Sequence, residues 1–271
     1  MKHKNIFSFC NQKGGVGKTT SAINIATALS QFGHRVLLID SDPQGNATSG
    51  MGEEKANKTF TIYQVIIEET PVSDAIVSTQ IEGLDLIPSN SNLSGAEIEL
   101  ISFYSREFRL KKALEPIKEA YDYILIDCPP SLGLLTVNAL TASDYIFIPL
   151  QCEYYALEGL GQLLETHALI KKNLNSDLEI GAVLLTMADF RTKLTEQVIQ
   201  EVKTFFKEKT LETIIPRSVR LSEAPSFGKP GLLYDQASKG ARSYLDAAKE
   251  FVKRFPVSIE QRAFEKEVIE P

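Results

Sequence analysis

Two lysines, Lys13 and Lys18, lie in one glycine-rich stretch near the start of the chain, NQKGGVGKTT. The stretch follows an apolar run, NIFSFC, and leads into a segment of helical periodicity, KTTSAINIATALSQFG. A turn from a strand to a helix leaves backbone N–H groups unpaired and directs them, together with the helix dipole, toward an anion. The arrangement therefore predicts a loop that binds phosphate groups.

Each residue type in this loop has its own task. Gly14, Gly15 and Gly17 permit positive φ angles and close approach of the backbone to a ligand. Lys18 supplies positive charge at the β- and γ-phosphates of a nucleotide, and the Thr19 hydroxyl is a ligand for Mg²⁺. The residues predicted to contact the nucleotide here are Lys13, Gly14, Gly15, Val16, Gly17, Lys18, Thr19 and Thr20.

Two other segments supply the carboxylates that a nucleotide site needs. The apolar run YDYILID ends at Asp127, the position from which a Walker B carboxylate meets the Mg²⁺ shell beside the loop. The run RVLLID continues into SDPQGNATSG, and alternation in an extended chain sends Asp40 and Asp42 to the same face. These residues predict a metal-dependent nucleotide site.

The pattern of apolar runs predicts the elements that position these residues. Runs that end in small or acidic residues alternate with helical segments, which is typical of an α/β fold with a mainly parallel, twisted sheet and helices on both faces. The predicted strands are NIFSFC, RVLLID, LDLIP, YDYILID, YIFIPL, IGAVLLT and TIIP.

Helical segments fit between these strands, and no repeat or interdomain linker interrupts them. We therefore predict one domain over residues 1–256 and a loosely ordered, net acidic tail over residues 257–271, after Pro256. The less regular segment from Gly45 to about Glu82 is expected to hold a switch loop and short helices. The predicted helices are KTTSAINIATALSQFG, SREFRLKKALEPIKEA, LLTVNALTAS, LEGLGQLLETHALIKKN, LTEQVIQEVKTFFKEK and SKGARSYLDAAKEFVKRF.

Composition limits the possible classes of protein. With 271 residues, of which 43% are hydrophobic, the chain can bury a full core. It has no run of about 18 apolar residues and no signal peptide at its start, so we expect a cytoplasmic protein. Cys10, Cys128 and Cys152 have no metal-type spacing and are predicted to be buried thiols.

The glycine-rich loop departs from the ordinary G-x-x-x-x-G-K-[ST] pattern, because Gln12 stands at its first glycine. The remaining K-G-G-x-G-K-T resembles the deviant Walker A motif of the ParA/MinD ATPases, P-loop NTPases in which two subunits face each other across two ATP molecules. The additional lysine of that motif, Lys13 here, reaches the phosphates of the partner subunit. The resemblance thus implies a homodimer with ATP and Mg²⁺ as cofactors, in which a cation supplied by the partner stabilises charge in the transition state.

The same resemblance assigns roles to residues outside the loop. In the D-x-D-P-Q-G-N segment, Asp42 orients the attacking water, and Asp40 supports the metal and the loop. The implied catalytic residues are Lys13, Lys18 and Asp42, and the implied metal residues are Thr19, Asp40 and Asp127. Adenine is expected beside LLTM and IPRSVR, where the contacting residues are Met187, Pro216 and Ser218. The second switch is expected at Pro129, Pro130 and Gly133.

Several segments together resemble the ParA/Soj partitioning subgroup, notably LLIDSDPQGNATSG, DCPPSLGLLTVNAL and IPRSVRLSEAPSFGKP. The subgroup implies an ATP-bound dimer that binds double-stranded DNA without sequence preference, associates with the nucleoid, and is released when a ParB-type partner stimulates hydrolysis. Arg191 and Arg220 match DNA-binding positions of the subgroup, and Arg217 extends the patch. The chain carries a net charge of −6, but residues 185–256 hold 13 basic and 9 acidic residues, a net charge of +4.

Three alternatives remain open. MinD-like membrane ATPases need a basic amphipathic C-terminal helix, whereas Pro256 and four acidic residues occupy this end of the chain, so no stable membrane binding is expected. Metal-cluster carriers of the same superfamily need paired cysteines, and the chain has no C-x-x-C. A small-molecule kinase or synthetase needs an acceptor pocket or a lid, for which no dedicated segment is found.

Overall fold

The strands of the protein form one sheet whose central members are buried throughout. The computed structural model describes residues 4–55, 59–153 and 160–257. Apolar residues on both faces of the central strands are typical of a parallel sheet covered on two sides. The strands in the described residues are β1 (Ile6–Phe9), β2 (Val36–Asp40), β3 (Val77–Ser78), β4 (Leu84–Ile87), β5 (Tyr123–Asp127), β6 (Tyr145–Gln151) and β7 (Glu179–Thr186).

Within those ranges the sheet order is β3-β4-β2-β5-β1-β6-β7, and every pairing is parallel except that of β3 with β4. The register pairs Phe9 with Asp127 and Asp40 with Asp127. The carboxyl ends of β1, β5 and β2 therefore lie side by side. Ligands of open α/β sheets bind outside such carboxyl ends.

Helices cover both faces of the sheet. Phe7, Phe9 and Leu38 point toward one face, where they join the buried side of α1 and α10, while Ile6 and Leu37 point toward the other face. The α-helices of the described residues are α1 (Lys18–Gln31), α2 (Asn46–Gly50), α3 (Leu93–Glu99), α4 (Arg109–Leu114), α5 (Leu134–Ala142), α6 (Gly161–Asn173), α7 (Lys193–Phe206), α8 (Val219–Glu223), α9 (Gly231–Tyr234) and α10 (Lys239–Arg254).

Two predicted elements are wrong in detail. The segment TIIP is not a strand, because it makes only separated bonds beside β7, such as Ile215 N–H to the Leu185 carbonyl, and Pro216 has no N–H to continue the ladder. The helix predicted over residues 105–120 is an α-helix only at Arg109–Leu114, and Pro116 prevents its continuation.

The remaining predictions concern the cysteines, the tail, the start of one helix and membrane-spanning segments. Cys10, Cys128 and Cys152 are free and buried, as predicted. The predicted tail lies outside the described residues except for Val257. The helix expected from Leu157 is observed from Gly161, and its predicted start also lies outside the described residues. No helix in the described ranges combines the length and the apolar content needed to span a bilayer.

Candidate functional site

The phosphate loop connects the end of β1 to the start of α1. Gly15 has φ 73° and Gly17 has φ 87°, a left-handed conformation that favours glycine, whereas Gly14 does not have a positive φ. Gly17 precedes the first residue of α1, and no side chain caps the helix. The first-turn N–H groups of this 14-residue helix are therefore available to an anion.

Lys18 is buried although it is charged. Its Nζ donates a hydrogen bond to the carbonyl of Lys13 at 3.3 Å, so the side chain folds back over the loop. The loop is fixed from the other side by Thr186, whose hydroxyl donates to the Val16 carbonyl at 2.8 Å. The ammonium group is thus held among loop atoms, as expected of a lysine that meets phosphate.

Asp127 is fully buried, and neither of its carboxylate oxygens has a hydrogen-bond partner. Burial raises its pKa well above the usual range, and the charge of Asp40 raises it further. The Thr19 hydroxyl and the Lys18 ammonium lower this pKa, although Thr19 does not reach hydrogen-bond geometry. A buried carboxylate without donors, next to a threonine hydroxyl and a phosphate loop, is a donor set that fits Mg²⁺.

Asp40 lies beside Asp127 but is engaged differently. Its Oδ2 accepts from both the N–H and the hydroxyl of Thr48 at 2.7 Å, and its Oδ1 accepts from the Asp42 N–H at 3.2 Å. Burial raises the pKa of Asp40 to about 6, against the effect of the Thr48 bonds. The structure therefore shows Asp40 supporting the loop that follows β2 and carries Asp42. Its part in metal binding stays a prediction.

Asp42 is almost completely buried at the beginning of the loop between β2 and α2. Its Oδ1 accepts from the Gln44 N–H at 2.9 Å, and its carbonyl accepts from the Gly45 N–H at 2.9 Å. The carbonyl also accepts from the hydroxyl of Ser89 at 2.8 Å. Asp42 is thus rigidly placed at the carboxyl edge of the sheet, near the end of β5.

The second loop lysine, Lys13, points away from this buried cluster into solvent. Its Nζ forms an ion pair with Glu153 Oε2 at 2.8 Å, and the other oxygen of Glu153 lies 3.9 Å from Arg217. The Lys13 and Glu153 side chains are 40% and 46% exposed. Glu153 belongs to no motif in the sequence, and 140 residues separate it from its partner.

The residues predicted to contact adenine lie together beside the loop. Met187, Pro216 and Ser218 line a cavity of about 300 Å³ that Gly17 and Thr20 also line. Its size is at the lower end of the range for small-molecule sites. Met187 has φ 53°, an uncommon conformation for a residue other than glycine, and such strain is frequent at ligand sites.

The three predicted DNA-binding arginines are exposed and ion-paired. Arg191 pairs with Asp189 at 2.6 Å and is 88% exposed, and this pairing lowers the pKa of Asp189 to about 2. Arg220 lies between Glu223, at 3.0 Å, and Asp235, at 3.4 Å. Arg217 is 65% exposed. All three guanidinium groups are accessible to solvent, but the neighbouring carboxylates reduce the positive electrostatic potential around them.

Comparison with known proteins gives consistent matches over most of the chain. A family model described as an AAA domain matches residues 4–180. The chain is 60% identical over 245 residues to the sporulation initiation inhibitor protein Soj of Bacillus subtilis, covering 90% of this chain and 97% of Soj. It is 53% identical to the chromosome partitioning protein ParA of Myxococcus xanthus, covering 92% of this chain and 88% of that protein.

Solved structures give the same fold. Cobyrinic acid a,c-diamide synthase from Mycobacterium smegmatis, with a bound ATP analogue and magnesium, is similar with a TM-score of 0.82 at 36% identity, over 93% of this chain and 96% of that one. A plasmid partition protein from Borrelia burgdorferi is similar with a TM-score of 0.76 at 31% identity, over 93% and 100%. The predicted α/β fold of a P-loop NTPase is confirmed.

The burial of the Asp127 carboxyl without a hydrogen-bond donor predicts that Asp127→Asn stabilises the nucleotide-free protein. Folding raises the pKa of Asp127. The contribution of this carboxyl to the stability of the folded protein is therefore complete below the usual pKa of 3.8, and it is lost as the pH rises toward the pKa of the folded state. We expect the variant to unfold about 2–4 °C higher than the wild type at pH 8, a shift that corresponds to about 1 kcal/mol. The difference should shrink toward pH 4, as measured by thermal unfolding without Mg²⁺ or nucleotide.

The matched control is Asp189→Asn. The pKa of this partly exposed carboxyl is lowered rather than raised, so its contribution to stability is present above the usual pKa, and the substitution should not stabilise the protein at pH 8. A lower unfolding temperature for Asp127→Asn at pH 8, or a difference that does not vary with pH, would contradict the assignment of a buried, unpaired carboxylate.

Proposed function

Because this chain belongs to the ParA/Soj family of chromosome- and plasmid-partitioning ATPases, we propose that ATP joins two copies of it face to face and that the resulting dimer binds DNA. The chain is an ATPase, and its cofactors are ATP and Mg²⁺. The observation that carries the proposal is the position of Lys13. This lysine is exposed at the rim of the phosphate loop, whereas Lys18 is buried within it.

Each residue of the hydrolytic site has a separate role within one subunit. The Lys18 ammonium exchanges its hydrogen bond to the Lys13 carbonyl for contacts with the β- and γ-phosphates, and the N–H groups at the start of α1 bind the phosphate chain. Thr19 and Asp127 hold Mg²⁺, which when bound neutralises charge on the phosphates. Asp42 orients the water that attacks the γ-phosphate. Met187, Pro216 and Ser218 enclose the adenine in the adjacent cavity.

Lys13 makes the reaction depend on a second copy. In the single chain it is paired with Glu153 of the same subunit, and both side chains are substantially exposed. Exposed ion pairs contribute only about 0–1 kcal/mol. The triphosphate bound to the partner carries more negative charge than one carboxylate. Lys13 therefore gives up its ion pair with Glu153 for one with that triphosphate at little cost in free energy. Charge developing at the γ-phosphate is then stabilised only in the dimer.

DNA binding uses the exposed arginines of the basic last third of the chain. Arg191, Arg217 and Arg220 lie in the loops and the short helix that follow β7. Contact with phosphates needs charge and reach but no base-specific geometry, which suits non-specific binding to the nucleoid. We propose that hydrolysis, stimulated by a ParB-type partner, separates the dimer and releases it from DNA.

The alternatives are less well supported. A MinD-like membrane function would depend on a C-terminal helix beyond Val257, which lies outside the described residues, and liposome sedimentation with ATP tests it. The similarity to a cobyrinic acid a,c-diamide synthase, at 36% identity, favours a synthetase less than the 60% identity to Soj favours a partitioning ATPase. Cys128 and Cys152, which a cluster carrier would use, are both buried.

We expect Lys13→Gln to bind ATP normally but to stay monomeric and to lose nearly all hydrolysis. Lys18→Ala, in contrast, should lose ATP binding itself. Light scattering of the protein with ATP and with ADP measures the dimer, and phosphate release measures turnover. Lys249→Gln is the matched control, since Lys249 is also exposed and paired with a carboxylate at 2.8 Å. Full turnover of Lys13→Gln as a single subunit would overturn the proposed dimer mechanism.

Charge reversal of the arginines tests DNA binding separately from dimerisation. Arg220→Glu and Arg191→Glu should each reduce retention on non-specific duplex DNA by at least about tenfold and lower its salt dependence, because fewer counterions are released. ATP-driven dimerisation should persist in both variants. Lys249→Glu is the control, because its ion pair spans three residues as Arg220–Glu223 does. Equal retention of wild type and both arginine variants would place the DNA surface elsewhere.

A further inference from the structure

The serine at the carboxyl end of β4, Ser89, belongs to none of the motifs described above. It is fully buried, and it makes two hydrogen bonds to the loop that carries Asp42. Its hydroxyl donates to the Asp42 carbonyl at 2.8 Å, and its N–H donates to the Thr48 hydroxyl at 2.9 Å. Ser89 therefore connects a neighbouring strand to residues that are 41 and 47 positions away in the sequence.

Thr48 continues the connection to Asp40. A hydroxyl has one hydrogen to donate, and that of Thr48 goes to Asp40 Oδ2 at 2.7 Å while its oxygen accepts from Ser89. The direction of each bond in the chain from Ser89 through Thr48 to Asp40 is thus fixed. Thr48 and Asp40 are both fully buried, so water does not substitute for a lost bond without entering the core.

These bonds hold the backbone of Asp42 from both sides. The N–H of Asp42 donates to Asp40, and its carbonyl accepts from Ser89 and from Gly45. The loop also packs closely against Ser89, since Gly45 has φ 60° and a Cβ at that position would lie 2.9 Å from the Ser89 carbonyl oxygen. Only a glycine fits this approach without displacement.

We propose that Ser89 and Thr48 are positioning residues for ATP hydrolysis, which fix the carboxylate of Asp42 where it orients the attacking water. The inference rests on the role of Asp42 in the proposed function. Both residues are fully buried and hydrogen-bonded to Asp42 or Asp40, so each acts through Asp42. An error of about 1 Å in the placement of a catalytic group costs a large part of the rate, which is why a buried network, rather than the loop alone, sets the position.

The test compares turnover with binding in three variants. Ser89→Ala and Thr48→Val should each lower kcat about tenfold or more, with the affinity for ATP and the ATP-dependent dimer changed less than about twofold. Thr48→Ser retains the hydroxyl and should restore most of kcat. Ser91→Ala is the control, because Ser91 is exposed two residues further on and its hydroxyl is not part of this network. Rates are expressed per ATP-binding subunit, so a partly unfolded sample does not lower them.

A double-mutant cycle with Asp42→Asn separates positioning from general stability. If Ser89 acts through Asp42, adding Ser89→Ala to Asp42→Asn lowers the residual rate by much less than tenfold. A full additional tenfold loss in that background would overturn the proposal, and so would a Ser89→Ala protein with wild-type kcat. Equal losses of ATP affinity and turnover would show a merely structural role and would also overturn it. If instead Asp42→Asn itself hydrolyses ATP normally, the proposed role of Asp42 fails.

Discussion

The parallel register of the sheet brings Asp40 and Asp127 together at the ends of adjacent strands, and Asp42 follows within two residues. Burial raises the pKa of both Asp40 and Asp127, and the charge of Asp42 adds to this effect at each of them. The protein relieves part of this effect for Asp40 through Thr48, but it leaves Asp127 with no donor. The Thr19 hydroxyl and the Lys18 ammonium offset only part of the effect of burial on Asp127. A bound cation would supply the positive charge that this carboxylate lacks, whereas the Asp42 loop is already held by its own hydrogen bonds.

The two loop lysines differ because the fold exposes them differently. Lys18 begins a helix that packs along the sheet, and its side chain remains within the loop. Lys13 lies where the loop leaves the sheet, and its ammonium group pairs with Glu153, two residues beyond the end of β6. An exposed pair of this kind is weak, so it leaves Lys13 able to change partner. The proposed difference in role between the two lysines would then follow from burial rather than from any difference in side-chain chemistry.

Much of the fold and of the site was predictable from local pattern. The central strands, the phosphate loop and Asp127 follow from apolar runs and from what comes directly after each run. TIIP has a similar pattern, but it forms only separated bonds beside β7, and Pro216 has no N–H to continue a ladder. Thr48, Ser89 and Glu153 were missed because their partners lie 8 to 140 residues away. The position of Ser89, directly beyond an apolar strand, was nevertheless the same signal that identified Asp127.

The proposed DNA binding requires a chain with a net charge of −6 to attract an anionic duplex. Arg191 is already paired with Asp189, and Arg220 with Glu223 and Asp235, so contact with a phosphate would replace one ion pair by another. The gain per contact is small, and it consists largely of released counterions. In the proposed dimer, two such surfaces would meet one duplex, so the second binding event would become intramolecular and its effective concentration would rise. Weak contacts from each arginine would then let the protein leave DNA once hydrolysis separates the two copies.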